Sequence, residues 1–239
     1  MAGGIRTEKH GQHIRVVIDA GQGNQLSTDG LRSLLSALAD ALAAGPQWLT
    51  LMGAGGDLSR GFQATCLSLN DAGFLREARS LARNVSRLMM RDSWVTVALV
   101  DGYALGLGLE LALSADLVVA TPRSRFGMPE LIFKFPPLTD VLTDPVGKLS
   151  AAAMGEIRSG RIFGAREALE LGIVDYIVPP GSGILEFESG LLRSLDWRSV
   201  VARKRSLPLR EIGRDTAIYA YLNSIRPDVR SLEGLRNTL

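Results

Sequence analysis

One cysteine and two histidines in 239 residues leave little from which to build a disulfide or a metal centre. Cys66 has no second thiol to pair with. His10 and His13 stand close together near one end of the chain, so no zinc-ligand spacing exists, and the single thiol fits a reducing compartment. Neither sign of charge dominates: 27 Lys and Arg against 25 Asp and Glu leave a net charge of +2, too balanced for a protein that neutralises a run of nucleic-acid phosphates. An uninterrupted apolar run is missing as well. Residues 95–120 come nearest, but Asp101, Glu110 and Asp116 would be prohibitive in a single membrane span. The first residues carry no signal-peptide core and alternate polar with apolar as a strand pair would. These absences imply a cytoplasmic protein that uses no bound metal, nucleic acid or membrane. What is present is a 46% hydrophobic chain with ample material for one large core.

Periodicity predicts a strand at 14–18, a helix through residue 44 with Leu31, Leu34, Leu35, Leu38 and Leu42 on one face, and a second strand at 48–52. A glycine-rich loop at 53–61 follows, then an amphipathic helix over about 74–90 and a buried strand at 95–100. A short helix is expected at 109–114, strands at 116–120 and 173–178, and helices at 145–159 and 165–171 around a turn at 160–164. Alternating strands and helices indicate an α/β fold, here assigned to residues 1–180. Residues 181–239 read as a helical region suited to subunit contact. His10 and His13 straddle a turn at Gly11 and read as surface residues. Cys66 reads as an inert buried thiol, and Asp116 as a structural residue at the start of a strand.

The stretch Gly102-Tyr103-Ala104-Leu105-Gly106-Leu107-Gly108-Leu109-Glu110-Leu111 sets a carboxylate into apolar surroundings, where an unpartnered charge is unfavourable. The glycine spacing is not that of a dinucleotide fingerprint. It does allow a strand to turn tightly into a helix with free N–H groups in the first turn, near Leu107 and Gly108, able to face an anion or developing oxyanion. The alternative is a turn that needs glycine only for packing. Glu130, also flanked by apolar residues, supplies a second carboxylate. Two carboxyl groups in one dry pocket suit acid–base chemistry, because burial and repulsion push their pKa values apart. Glu130 also stands just after Pro129, where an acid at a helix start is a common structural feature.

Residues 95–130, VTVALVDGYALGLGLELALSADLVVATPRSRFGMPE, resemble the signature of the crotonase superfamily, the enoyl-CoA hydratase/isomerase family. The strand, glycine-rich turn, glutamate, Ala-Asp pair and Phe-Gly-x-Pro-Glu segment stand in order. Val146-Gly147-Lys148 and the run from Gly160 to Ala168 resemble the family's later elements, so the likeness covers about residues 14–179. It implies the ClpP-like spiral of ββα units and an acyl-CoA substrate, with coenzyme A entering as part of that substrate and no separate cofactor. It further implies a homotrimer or hexamer.

Carried over, Glu110 orients and activates a water and Glu130 exchanges a proton with the α-carbon of a 2-enoyl-CoA. Backbone amides of Leu107 and Arg60 would hold the thioester oxyanion, each worth about 3 kcal/mol. Gly61, Gly106, Gly108 and Met128 would line the substrate. For the second amide, a shifted register nominates Ala64 instead, and Ala54-Gly55-Gly56-Asp57-Leu58 also mimics the motif. Both carboxylates together favour hydration. An acyl-CoA double-bond isomerase, a thioester hydrolase and a non-catalytic CoA-binding homologue are the alternatives. Three departures from the pattern bear on this choice: Leu107 stands for a glycine, Arg60 for a small residue, and Lys134 with residues 135–140 for a glycine-rich run. The window 193–214, with seven basic and two acidic residues, could meet the CoA phosphates or form a solvated helix face.

Overall fold

The computed structural model describes residues 4–63, 71–142, 149–194 and 196. Two strands open it, β1 (Ile5–His10) and β2 (His13–Ile18), paired antiparallel around Gly11, as the alternating pattern predicts. After a 3-10 turn at Gln22–Asn24, helix α1 (Thr28–Ala43) starts where the Ser27 hydroxyl accepts the Gly30 N–H. Strand β3 (Trp48–Gly53) follows. Helix α2 (Ala72–Met89) is capped by Asp71, whose carboxylate accepts the Gly73 and Phe74 N–H groups. Then come β4 (Val95–Val100), β5 (Tyr103–Leu105), α3 (Leu107–Leu113), β6 (Leu117–Ala120), β7 (Arg125–Gly127) and a 3-10 turn at Pro129–Phe133. The described chain closes with α4 (Ala151–Arg158), β8 (Ile162–Gly164), α5 (Ala165–Glu170), β9 (Tyr176–Ile177) and α6 (Ser182–Ser194).

Six strands form one sheet in the order β1-β2-β3-β4-β6-β9, parallel except for the first pair, and β5-β7-β8 form a second. Because side chains alternate along a strand, the central strands serve two cores at once. Leu49, Leu51, Ala98, Val100, Val118 and Ala120 point into the larger core with the apolar faces of α1, α2 and α3. Trp48, Val95, Val97, Leu99, Leu117 and Val119 point into the smaller one, which α6 closes with Ile184 and Leu191. Each of these two α6 side chains contributes about 1.5–3 kcal/mol by burial. The first helix of the region 181–239 thus packs on the core.

Several expectations shift. Helix α3 begins at Leu107, two residues early, so Gly108 lies inside it. The strand expected at 173–178 is reduced to β9, with Tyr176 and Ile177 opposite β6 and the Asp175 and Val178 N–H groups donating to Val118 O and Ala120 O. The short strands of the second sheet carry too few residues for periodicity to reveal them. His13 is buried, not superficial: its Nε2 lies 3.0 Å from Thr50 Oγ1 and 3.3 Å from Glu188 Oε1. Asp116 does tie strands together, its carboxylate accepting both the N–H and the hydroxyl of Thr96. Cys66, Ala64, Val146-Gly147-Lys148 and most of the window 193–214 lie outside the described residues.

Candidate active site

The strand β5 ends at Gly106, whose φ of +52° and ψ of −122° turn the chain sharply into α3. Its N–H donates to the Gly127 carbonyl of β7 at 2.9 Å, and Leu105 N–H donates to Ser59 O at 3.0 Å, so the turn is pinned from both sides. Within α3 the first N–H with a carbonyl partner is that of Glu110, which donates to Gly106 O at 3.0 Å. The N–H groups of Leu107, Gly108 and Leu109 have no acceptor among the described residues, as a helix start leaves them. Gly108 is required by packing: a Cβ there would stand 2.2 Å from Ser59 O. Leu107 buries its side chain in the larger core.

The opposing loop, residues 57–61, is held in place by its own hydrogen bonds. Ser59 Oγ donates to Asn24 O at 2.7 Å, and the Asp57 carboxylate accepts Tyr103 N–H at 2.9 Å. Gly61, at φ +110°, lies against the turn, where a Cβ would be 3.3 Å from Leu105 O and 3.9 Å from Leu107 N. Here the structure departs from the expected pair of donors. The Arg60 N–H already donates to Gly23 O at 2.8 Å, so in this conformation it is not available to an oxyanion. Gly23 takes a positive φ of 73° that lets its carbonyl reach the loop, and neither residue's part was legible in the sequence. The Arg60 side chain is held by Asp57 at 2.7 Å and stacks on the Tyr103 ring at 4.5 Å.

The two carboxylates lie close enough for the charge of Glu110 to act on Glu130. Pro129 starts the 3-10 turn that carries Glu130, and Met128 just before it is fully buried. A Cβ added to Gly106 would lie 2.6 Å from Glu130 Oε1 and 3.0 Å from Oε2, so the carboxyl group sits directly on the glycine that precedes Leu107. Burial pushes Glu130 up to about 7; its own N–H opposes the rise and the charge of Glu110 adds to it. Glu110 is 1% exposed, and its carboxylate accepts Leu138 N–H at 2.9 Å, Thr139 N–H at 2.6 Å and the Thr139 hydroxyl. Burial raises its pKa too, while those three donors and the Arg79 charge pull it back. Leu138 and Thr139 escaped sequence reasoning because two of the three donors are backbone groups, which no residue type announces. Arg79 read only as part of an amphipathic helix.

The result is one carboxyl group that can hold or release a proton near neutral pH, a second that is buried and accepts three hydrogen bonds, and, beside the first, a main-chain N–H with no acceptor among the described residues. That combination can move a proton next to a carbonyl whose oxygen gathers negative charge.

A sequence profile described as enoyl-CoA hydratase/isomerase matches residues 51–189. A putative enoyl-CoA hydratase of Thermus thermophilus is 34% identical over 183 residues, 73% of this chain and 71% of that one. The glyoxysomal fatty acid beta-oxidation multifunctional protein MFP-a of Cucumis sativus is 36% identical over 166 residues, 66% of this chain, and the chain spans 22% of that protein's length. Among solved structures, an enoyl-CoA hydratase from Bacillus halodurans superposes with a TM-score of 0.76 at 22% identity, covering 92% of this chain and 91% of that one, a likeness of fold.

Proposed function

The chain belongs to the enoyl-CoA hydratase/isomerase family and has the crotonase fold, and from that premise we propose that it adds water reversibly to a 2-enoyl-CoA thioester. The observation that carries the reading is the Glu130 carboxyl group, seated on Gly106 beside the unpartnered N–H of Leu107 and raised to about 7. The thioester oxygen would accept from Leu107 N–H, with Gly61 and Gly108 keeping the approach open and Met128 against the substrate. Water would attack the β-carbon and give its proton to Glu110. The π-electron pair would take the Glu130 proton at the α-carbon, and return of the proton from Glu110 to Glu130 would reset the site. The acyl-CoA substrate, the trimer or hexamer and the role of each residue belong to this proposal.

One observation favours a second reading. Glu110 is sealed by three donors, so an isomerase in which Glu130 alone carries a proton between the α- and γ-carbons needs no water beside Glu110. The test is product analysis on 2-enoyl- and 3-enoyl-CoA thioesters with Glu110→Gln alongside. Hydration predicts loss of the conjugated absorbance of the 2-enoyl substrate, and at least a hundredfold slower loss in the variant. Double-bond migration from the 3-enoyl substrate, untouched by Glu110→Gln, would overturn hydration in favour of isomerisation. Calorimetric binding of an acyl-CoA without any turnover would leave a non-catalytic binding protein.

A further inference from the structure

Helix α2 carries Arg76, Arg79, Arg83 and Arg87 at spacings of three, four and four, which puts four guanidinium groups on one face within roughly 16 Å. Like charges at such spacings oppose helix formation, so this face needs an anion to offset it. Among the described residues the structure supplies only part of one. Asp140 Oδ1 lies 2.7 Å from Arg83 Nη2 and its Oδ2 lies 3.7 Å from Arg87 Nη2, so these two forks converge on a single carboxylate. Arg79 acts on the buried Glu110 by its charge. Yet the Nε atoms of Arg79 and Arg83 are withdrawn from solvent with no hydrogen-bond partner among the described residues. Between these side chains runs a groove of about 320 Å³, lined by Arg76, Arg79, Ser80, Arg83, Asn84 and Arg87.

Every described lining side chain can donate hydrogen bonds, and none of them is acidic or aromatic. We propose that the α2 groove binds a phosphate-bearing anion, held by its oligophosphate group, at a site separate from the thioester. Guanidinium forks match phosphate oxygens two at a time, and several forks in a row match a chain of phosphates better than a lone carboxylate. With no ring to stack on a base, recognition rests on the phosphates.

The test is calorimetric titration of the full chain with inorganic pyrophosphate at low salt, repeated with the protein saturated with CoA. Saturable binding that weakens as salt is added and is unchanged by CoA is the expected result. The double variant Arg76→Gln/Arg87→Gln should weaken it at least tenfold, with the circular dichroism of the parent, while Arg158→Gln on α4 should leave it unaltered. If the double variant does not fold, Arg76→Gln at its exposed position alone should still weaken binding severalfold. Displacement of pyrophosphate by CoA would assign the groove to the substrate's own phosphates and overturn the proposal. So would absence of binding, parent-like binding by the variants, or binding of an acidic peptide or oligonucleotide by a protein that ignores pyrophosphate.

Discussion

Glu188 is buried and Glu130 half-buried on opposite sides of the central sheet, and their pKa values move in opposite directions. Around Glu188, on α6, burial alone would raise the pKa, but His13, Arg15 and Thr50 reach it across the sheet and hold it down at about 2. Arg15 bridges Glu188 and Glu8, so the cluster joins the first hairpin to the last described helix. Around Glu130 no cation among the described residues offsets the burial, and the charge of Glu110 adds to it, so its pKa rises to about 7. Side-chain partners thus set whether a buried acid serves as a fastening or as a store for a proton.

The sharpest way to break the contrast is to neutralise each acid in turn. Under the proposed mechanism, Glu130→Gln slows hydration about a thousandfold, or about 4 kcal/mol in the barrier, with no loss of stability. Glu188→Gln should do the reverse: activity per folded molecule persists, while urea unfolding shows a loss of about 3 kcal/mol because Arg15 is left half-buried beside a neutral group. Unaltered unfolding of that variant would show that the cluster is decorative.

Acidity separates the two acids next. Glu188 is ionised down to about pH 2 when folded and to about 4.5 otherwise. Its stabilisation is complete above pH 5 and fades as pH falls towards 2, by about 3 kcal/mol in all. Glu130 keeps its proton to about pH 7 when folded, so stability falls as pH rises from about 4.5 to 7. Unfolding of the parent and both variants between pH 3 and 8 reads these opposed slopes. In the proposed reaction the protonated form of Glu130 acts in hydration, so kcat/KM for hydration declines above about pH 7 and that for dehydration declines below it.

Gly106→Ala would push a Cβ to 2.6 Å from Glu130 Oε1 at a φ of +52°, predicting about 2 kcal/mol of destabilisation and a tenfold or greater loss of turnover. A crystal structure of that variant with Glu130 undisturbed would separate backbone strain from displacement of the acid. The smallest expected effect is that of Thr139→Val, which removes one of three donors to Glu110 and should cost about 1 kcal/mol in thermal unfolding, restored by Thr139→Ser.

Much of this was legible in the chain. Strand and helix periods located the central sheet, and a carboxylate in an apolar run with glycines before it marked Glu110. The order of motifs through Glu130 pointed to the family. The second sheet was not legible, since strands of three residues carry no period. Nor was the engagement of Arg60 N–H by Gly23, because a main-chain hydrogen bond leaves no trace in residue type.

The sequence by itself marked Glu110 and Glu130 as carboxylates set among apolar residues, because hydrophobic pattern governs what is buried, but it did not mark Glu188. Tertiary structure alone decided their chemistry. Arg15 and Glu188 lie 173 residues apart, and Glu110 meets Leu138 and Thr139 across a break between elements. The energy of a buried charge depends on the few donors within hydrogen-bonding reach, and only folding chooses those.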